Sequence, residues 1–208
     1  MYCEKVINKK VIIRQVISCL IVVGLFVGIF FLGSALTTRR IGKAMFTDSQ
    51  NIIIESTWEN PYKDLVKDEY AAFIISTCSP LKFDPNVPTS ILLKENPNQD
   101  PLAVHENPNG SYDCGLFQQN SRNLVYFADL YWPFDKFGIP YDWTNWQHNT
   151  YVAIHHIYDL YNSFDGDIEK VAAAYNAGCG AVLAGNIPAS TEQYKKEVLN
   201  FYKLLSSS

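Results

Sequence analysis

Between Lys94 and Asn120 the chain reads K-E-N-P-N-Q-D-P-L-A-V-H-E-N-P-N-G-S-Y-D-C-G-L-F-Q-Q-N. Glu95 closes a short apolar run, Ile91-Leu92-Leu93, and a polar loop rich in Asn and Pro follows it. A second acid, Asp113, then precedes Gly115-Leu116-Phe117-Gln118. One carboxyl leaving an apolar element, faced by a second carboxyl and by amides, is equipment for breaking a glycosidic bond. That reaction needs a proton on the leaving oxygen while positive charge develops at the anomeric carbon. A carboxylic acid keeps its proton near neutral pH only if its pKa is raised, and burial among apolar neighbours raises it. The plain alternative is that Glu95 merely ends a helix. A carboxylate there works against the helix dipole, so an exposed acid would carry a cost without a gain.

Positioning such groups is work for helices. Asn60-Pro61 predicts a helix start, with Pro at the first helical position. Leu65, Val66, Tyr70, Phe73 and Ile74 then recur at helical spacing, and Ser79-Pro80 ends the run. Thr89 or Ser90 can cap a short helix that brings Glu95 to its C-terminal end. Asn96 to Ser111 reads as loop or a small hairpin, and Gln118 to Tyr131 as helix. Residues 132–145 read as an ordered aromatic loop, with Trp132 to Trp146 either stacking on sugar rings or packing in the core. Helix signals return over Trp146–Phe164 and Asp167–Ala177, the latter closed by Gly178. A capping box, Ser190-x-x-Gln193, opens the last helix, whose face carries Tyr194, Val198, Phe201, Tyr202 and Leu205. The expected domain is mainly α, with about six helices and at most a small hairpin. His105, His148, His155 and His156 have no ligand spacing, so no metal site is expected.

The chain has 208 residues and a net charge of -4. Residues 1–43 carry seven Lys/Arg and one acid, a net +6, which leaves -10 on the remainder. An acidic domain argues against nucleic acid as a partner, which demands a basic face. Val16 to Leu36 is nearly all apolar over 21 residues, and about 20 suffice to span a bilayer as a helix. Signal peptides have a shorter apolar core, so an uncleaved single-pass anchor is the reading, with a cleaved, secreted form still open. The expected division is anchor 1–38, linker 39–60 and domain 61–208. Of five cysteines, Cys78, Cys114 and Cys179 fall in the domain, and three cannot all pair within it.

Residues 95–120 resemble the lysozyme-like lytic transglycosylases, and in particular the small specialised members attached to secretion and conjugation machines. Two further segments carry the likeness: Val171-Ala172-Ala173-Ala174-Tyr175-Asn176-Ala177-Gly178, and Ile187-Pro188 with Thr191, Tyr194 and Val198. The resemblance implies a lysozyme-like (α+β) domain on the outer side of a bacterial cytoplasmic membrane. It also implies peptidoglycan glycan strands as substrate, no cofactor, and an envelope-spanning machine as a further partner. Glu95 would be the single acid/base, protonating the oxygen between N-acetylmuramic acid and N-acetylglucosamine. It would then take the proton of the muramic acid 6-hydroxyl, leaving a 1,6-anhydro end. Gln118, Asn120, Tyr175, Asn176 and Asn96, the residue after the acid, would bind the glycan together with Tyr194, which would also hydrogen-bond Glu95.

The chain departs from that pattern in three places. Asn96 stands where the family usually has Ser. Gln119-Asn120 stands where Ile-Asn is common, and the aromatic stretch 126–146 has no counterpart. Asp113 leaves a second reaction open, since in animal-type lysozymes an acid in a similar setting makes the enzyme a hydrolase. A third reading is a non-catalytic wall-binding or assembly module. Cys114 and Cys179 each lie in or beside a motif that lines the cleft in the family, and a disulfide between them is one expectation.

Overall fold

A computed structural model describes residues 58–207. The apolar run Val16 to Leu36 lies outside them, as do the linker residues up to 57. Among the described residues no helix is long and apolar enough to cross a membrane. They form eight α-helices and one small sheet, more helices than expected because two short ones, Phe134–Phe137 and Cys179–Leu183, carry little periodic signal.

Helix α1 spans Asp68–Cys78, so the start expected at Asn60-Pro61 is not used. Asn60 folds the chain into turns instead. Its Oδ1 accepts from the Tyr62 amide at 2.8 Å and its Nδ2 donates to the Val66 carbonyl at 2.7 Å. Asp64, at φ 69°, sits in the left-handed region and stops helix propagation there. The stop at Ser79-Pro80 holds, as a single 3-10 turn over Ser79–Leu81.

Helix α2 runs Asn86–Glu95, beginning ahead of Thr89. Asp84 starts it by accepting the Asn86 amide at 2.9 Å, while Thr89 and Ser90 bond back to Pro85 and Val87 carbonyls inside the first turns. Val87, Ile91 and Leu92 are fully buried. The chain then makes three antiparallel strands in the order β1 (Val104–Glu106), β2 (Tyr112–Cys114), β3 (Gln119–Asn120). The third strand replaces the helix start expected at Gln118, because Gln118 itself takes a φ of 47°. Helices α3 (Leu124–Tyr131) and α4 (Phe134–Phe137) follow.

Helix α5, Trp146–Ser163, is capped by Asn145, whose Oδ1 accepts the Gln147 and His148 amides. Helix α6, Ile168–Ala177, is capped by Asp167 and ends at Gly178. Both boundaries match the side chains that set them. Helix α7 (Cys179–Leu183) is short. The last helix, α8, spans Ala189–Ser206. Its capping box does not form: Gln193 turns instead to Glu197, at 2.8 Å.

The core joins these elements around α2. Helix α8 packs chiefly on α2 and α6, burying Thr191, Tyr194, Val198 and Leu205. On α6 the buried face is Val171-Ala172-Ala173-Ala174, whose short side chains let α8 approach closely. Trp132 is buried with its ring against Phe137, Tyr141, His148 and Tyr151, and Trp146 meets Tyr70 and Phe73 edge-on. Trp132 thus belongs to the core, and Trp146, half-buried, packs on α1.

Candidate active site

Glu95 is the last residue of α2, where the helix has just left the core. Its side chain is half-buried. Tyr194 of α8 donates from Oη to Glu95 Oε1 at 2.6 Å. Burial lifts the Glu95 pKa to about 7, the Tyr194 hydrogen bond opposes that rise, Asp113 adds to it and Lys94 opposes it. Tyr194 is itself pushed well above the ordinary phenol range by burial and by Glu95, so it stays protonated and remains the donor. With Oε1 committed as acceptor, the proton of the neutral acid belongs on Oε2.

Asp113 sits in β2, opposite His105 on one side and Asn120 on the other. Asn120 Nδ2 donates to Asp113 Oδ1 at 2.8 Å and to Ser111 Oγ at 2.9 Å, while its Oδ1 accepts the Arg122 amide. Asn120 is thus bound up in holding the sheet and its acid. Burial, then Glu95, Tyr141 and Asp113, raise the Tyr175 phenol, so both carboxyls and both tyrosines act on one small region.

Behind β2 the turn Cys114 to Gln118 is pinned from two sides. Tyr175 of α6 donates to the Phe117 carbonyl at 2.8 Å. Asn149 of α5, fully buried, accepts the Phe117 amide on Oδ1 at 2.9 Å and donates to the Cys114 carbonyl at 3.3 Å. Gln119 bridges from the Asn149 carbonyl to the Tyr141 hydroxyl. A Cβ on Gly115 would lie 2.6 Å from Asn149 Nδ2, and Gly115 has φ 77°, so only glycine fits there. Asn149 and Gln119 do work that the sequence reading did not assign them. The available signal was an amide at the start of a helix otherwise expected to be apolar on that face.

The remaining amides divide. Gln118 Nε2 is spent on the Ala103 and Gly115 carbonyls, at 3.2 and 2.8 Å. Asn96 is buried, with Nδ2 on the Asp100 carbonyl and Oδ1 accepting the Asp100 amide. It shapes the loop after the acid, its amide engaged through both oxygen and nitrogen. Asn176, at the end of α6, is exposed, and its Oδ1 accepts from Thr191 Oγ1 at 2.7 Å. Cys114 is a free, buried thiol, as is Cys78. The bridge expected between Cys114 and Cys179 is therefore absent, because Cys114 is packed inside the turn it begins. Among the described residues no group of three His, Cys, Asp or Glu side chains is placed to hold a metal ion.

An α-helical domain with a small sheet, carrying one carboxyl of raised pKa at a helix end, is the arrangement of a lysozyme-like protein. The family model of the transglycosylase SLT domain matches residues 82–198, and the chain belongs to that family within the lysozyme-like superfamily. The fold is also that of a solved structure, the lytic transglycosylase Slt of Pseudomonas aeruginosa in an inactive Glu-to-Gln mutant. The two share 17% identity and a TM-score of 0.54 over 81% of this chain, which spans 29% of that protein's length. No curated protein sequence matches the chain significantly.

Proposed function

We propose that this protein cleaves the β-1,4 bond between N-acetylmuramic acid and N-acetylglucosamine in peptidoglycan, without water, as a lytic transglycosylase. The carrying observation is Glu95: a carboxyl raised to about 7 by burial and oriented by Tyr194 at 2.6 Å. With Oε1 occupied, Oε2 gives its proton to the glycosidic oxygen as the bond to the anomeric carbon breaks. The resulting carboxylate takes the proton of the muramic acid 6-hydroxyl, whose oxygen closes onto the anomeric carbon. Proton and bond counts balance, Glu95 is regenerated, and the product carries a 1,6-anhydro end. A pKa near the working pH suits one group to both halves of the cycle. Asn176, exposed and fixed by Thr191, and the Gln118 carbonyl oxygen are the amide groups we assign to the glycan.

Asp113 favours a second reading. It acts on Glu95 electrostatically, and as a second carboxylate it would support lysozyme-type hydrolysis. Its hydrogen bond from Asn120 suits a sheet residue better than a nucleophile. Product analysis on purified peptidoglycan separates these readings: anhydro ends mean transglycosylase, reducing ends mean hydrolase, and binding without cleavage means a wall-binding module. Glu95→Gln should abolish cleavage with the fold intact, and unimpaired activity would sink the assignment. The apolar run Val16 to Leu36 supports a single-pass anchor in a bacterial cytoplasmic membrane with the domain outside. Such an anchored enzyme is suited to opening the wall for an envelope-spanning machine.

A further inference from the structure

Lys94 precedes Glu95, and on a helix consecutive residues point about 100° apart. Both nonetheless end on α8. Glu95 meets Tyr194, and Lys94 Nζ meets Glu197 Oε2 at 2.5 Å. Residues 194 and 197 lie on one face of α8, three apart. The other oxygen of Glu197 accepts from Gln193 at 2.8 Å, so the carboxylate is held at both ends. The Lys94 ammonium is thereby kept 5.8 Å from the centre of the Tyr194 ring, the ring whose hydroxyl binds the acid.

Lys94 and Glu197 are about one-third exposed, at 32% and 36% of their side-chain surface. Ion pairs so placed add little to stability, about 0–1 kcal/mol. What distinguishes this pair is its location. We infer that Lys94 is a positioning residue: clamped by Glu197, its ammonium holds the Tyr194 ring in place and stands beside Glu95 as a countercharge. The inference rests on the reading of Glu95 as the proton donor and deepens it. The groups acting on Glu95 are Tyr194 from α8, Asp113 from β2 and Lys94 from its own helix, with Tyr175 of α6 in the same cluster. Among them Lys94 is the single cation. Burial and Asp113 favour the neutral acid and the Tyr194 hydrogen bond opposes them, and Lys94 adds a charge on the side of Tyr194.

The test uses the full-length protein in detergent, with the Glu95 carboxyl followed by carbon-13 NMR titration and glycan cleavage followed against pH. Lys94→Met removes the charge and keeps the length. The Glu95 midpoint and the alkaline limb of cleavage should both rise by about half a pH unit, a discounted value for a partly exposed charge. Lys94→Arg should leave both in place. The double exchange Lys94→Glu with Glu197→Lys restores an ion pair with reversed polarity. It should raise the midpoint further than Lys94→Met does. A midpoint unmoved in Lys94→Met, or returned to the wild-type value by the double exchange, overturns the inference, since a merely structural tie would be repaired by the exchange. Failure of the wild type to cleave glycan would fall on the functional reading instead, and the NMR midpoint would still decide the role of Lys94.

Discussion

Tyr194 and Glu95 form the bond on which the chemistry turns, and each half can be tested separately. Tyr194→Phe removes the hydrogen bond that favours the carboxylate. The Glu95 pKa should rise above about 7, and cleavage should drop by about 10- to 100-fold as the acid loses its orientation; a pH–rate profile checks both. Glu95 also carries a stability signature. A carboxyl raised from 4.5 to about 7 stabilises the fold below pH 4.5 and loses that contribution as pH rises through 7. Glu95→Gln should therefore be more stable than the wild type at pH 8, by up to about 3 kcal/mol. The advantage should vanish near pH 4, and urea melts at the two pH values check it. At this scale the sequence was informative wherever an apolar context met a charge, as at Ile91-Leu92-Leu93-Lys94-Glu95. It was uninformative for amides. Asn96, Gln118, Asn120 and Asn149 look alike in one dimension, and only the backbone groups they meet separate loop former from ligand contact.

The turn between β2 and β3 shows how elements hold the site. Gly115→Ala would force a left-handed conformation on a residue with a side chain and drive Asn149 from its place. It should cost about 3 kcal/mol, seen as a lower urea midpoint. Cleavage should weaken as well, because the Phe117 carbonyl is the anchor of Tyr175. Helices α5 and α6 were legible because Asn145 and Asp167 cap them through local bonds. The start of α1 was not, since Asn60 spends its side chain on Val66 and the Tyr62 amide rather than on a helix. Nor was β3, whose two residues depend on pairing with β2, a partner no local pattern reveals.

Across the whole molecule, buried groups set opposing pH limits. His148 and His156 are lowered from 6.5 to about 4 by burial. Each contributes stability that is whole above pH 6.5 and lost as pH falls through 4, up to about 3 kcal/mol apiece. Glu95 works in the other direction, but two imidazoles outweigh one carboxyl, so stability from these groups should rise above about pH 4 and peak near about pH 7. His156 packs among the rings of Phe127, Tyr131 and Tyr175. In His156→Phe the urea midpoint should fall less between pH 6.5 and 4 than in the wild type. The mainly helical class was legible from periodicity, whereas the convergence of α2, α6 and α8 was not, because it joins distant stretches of chain. The bond from Tyr194 to Glu95 spans 99 residues. Closing so long a loop comes late and is costly in entropy. Among the elements that form the site, α8 follows all the others in the chain. Until it docks, Glu95 lacks the Tyr194 hydrogen bond that orients its proton. The acid of the enzyme we propose is thus armed by a helix 99 residues away, and the fold must close before the chemistry can begin.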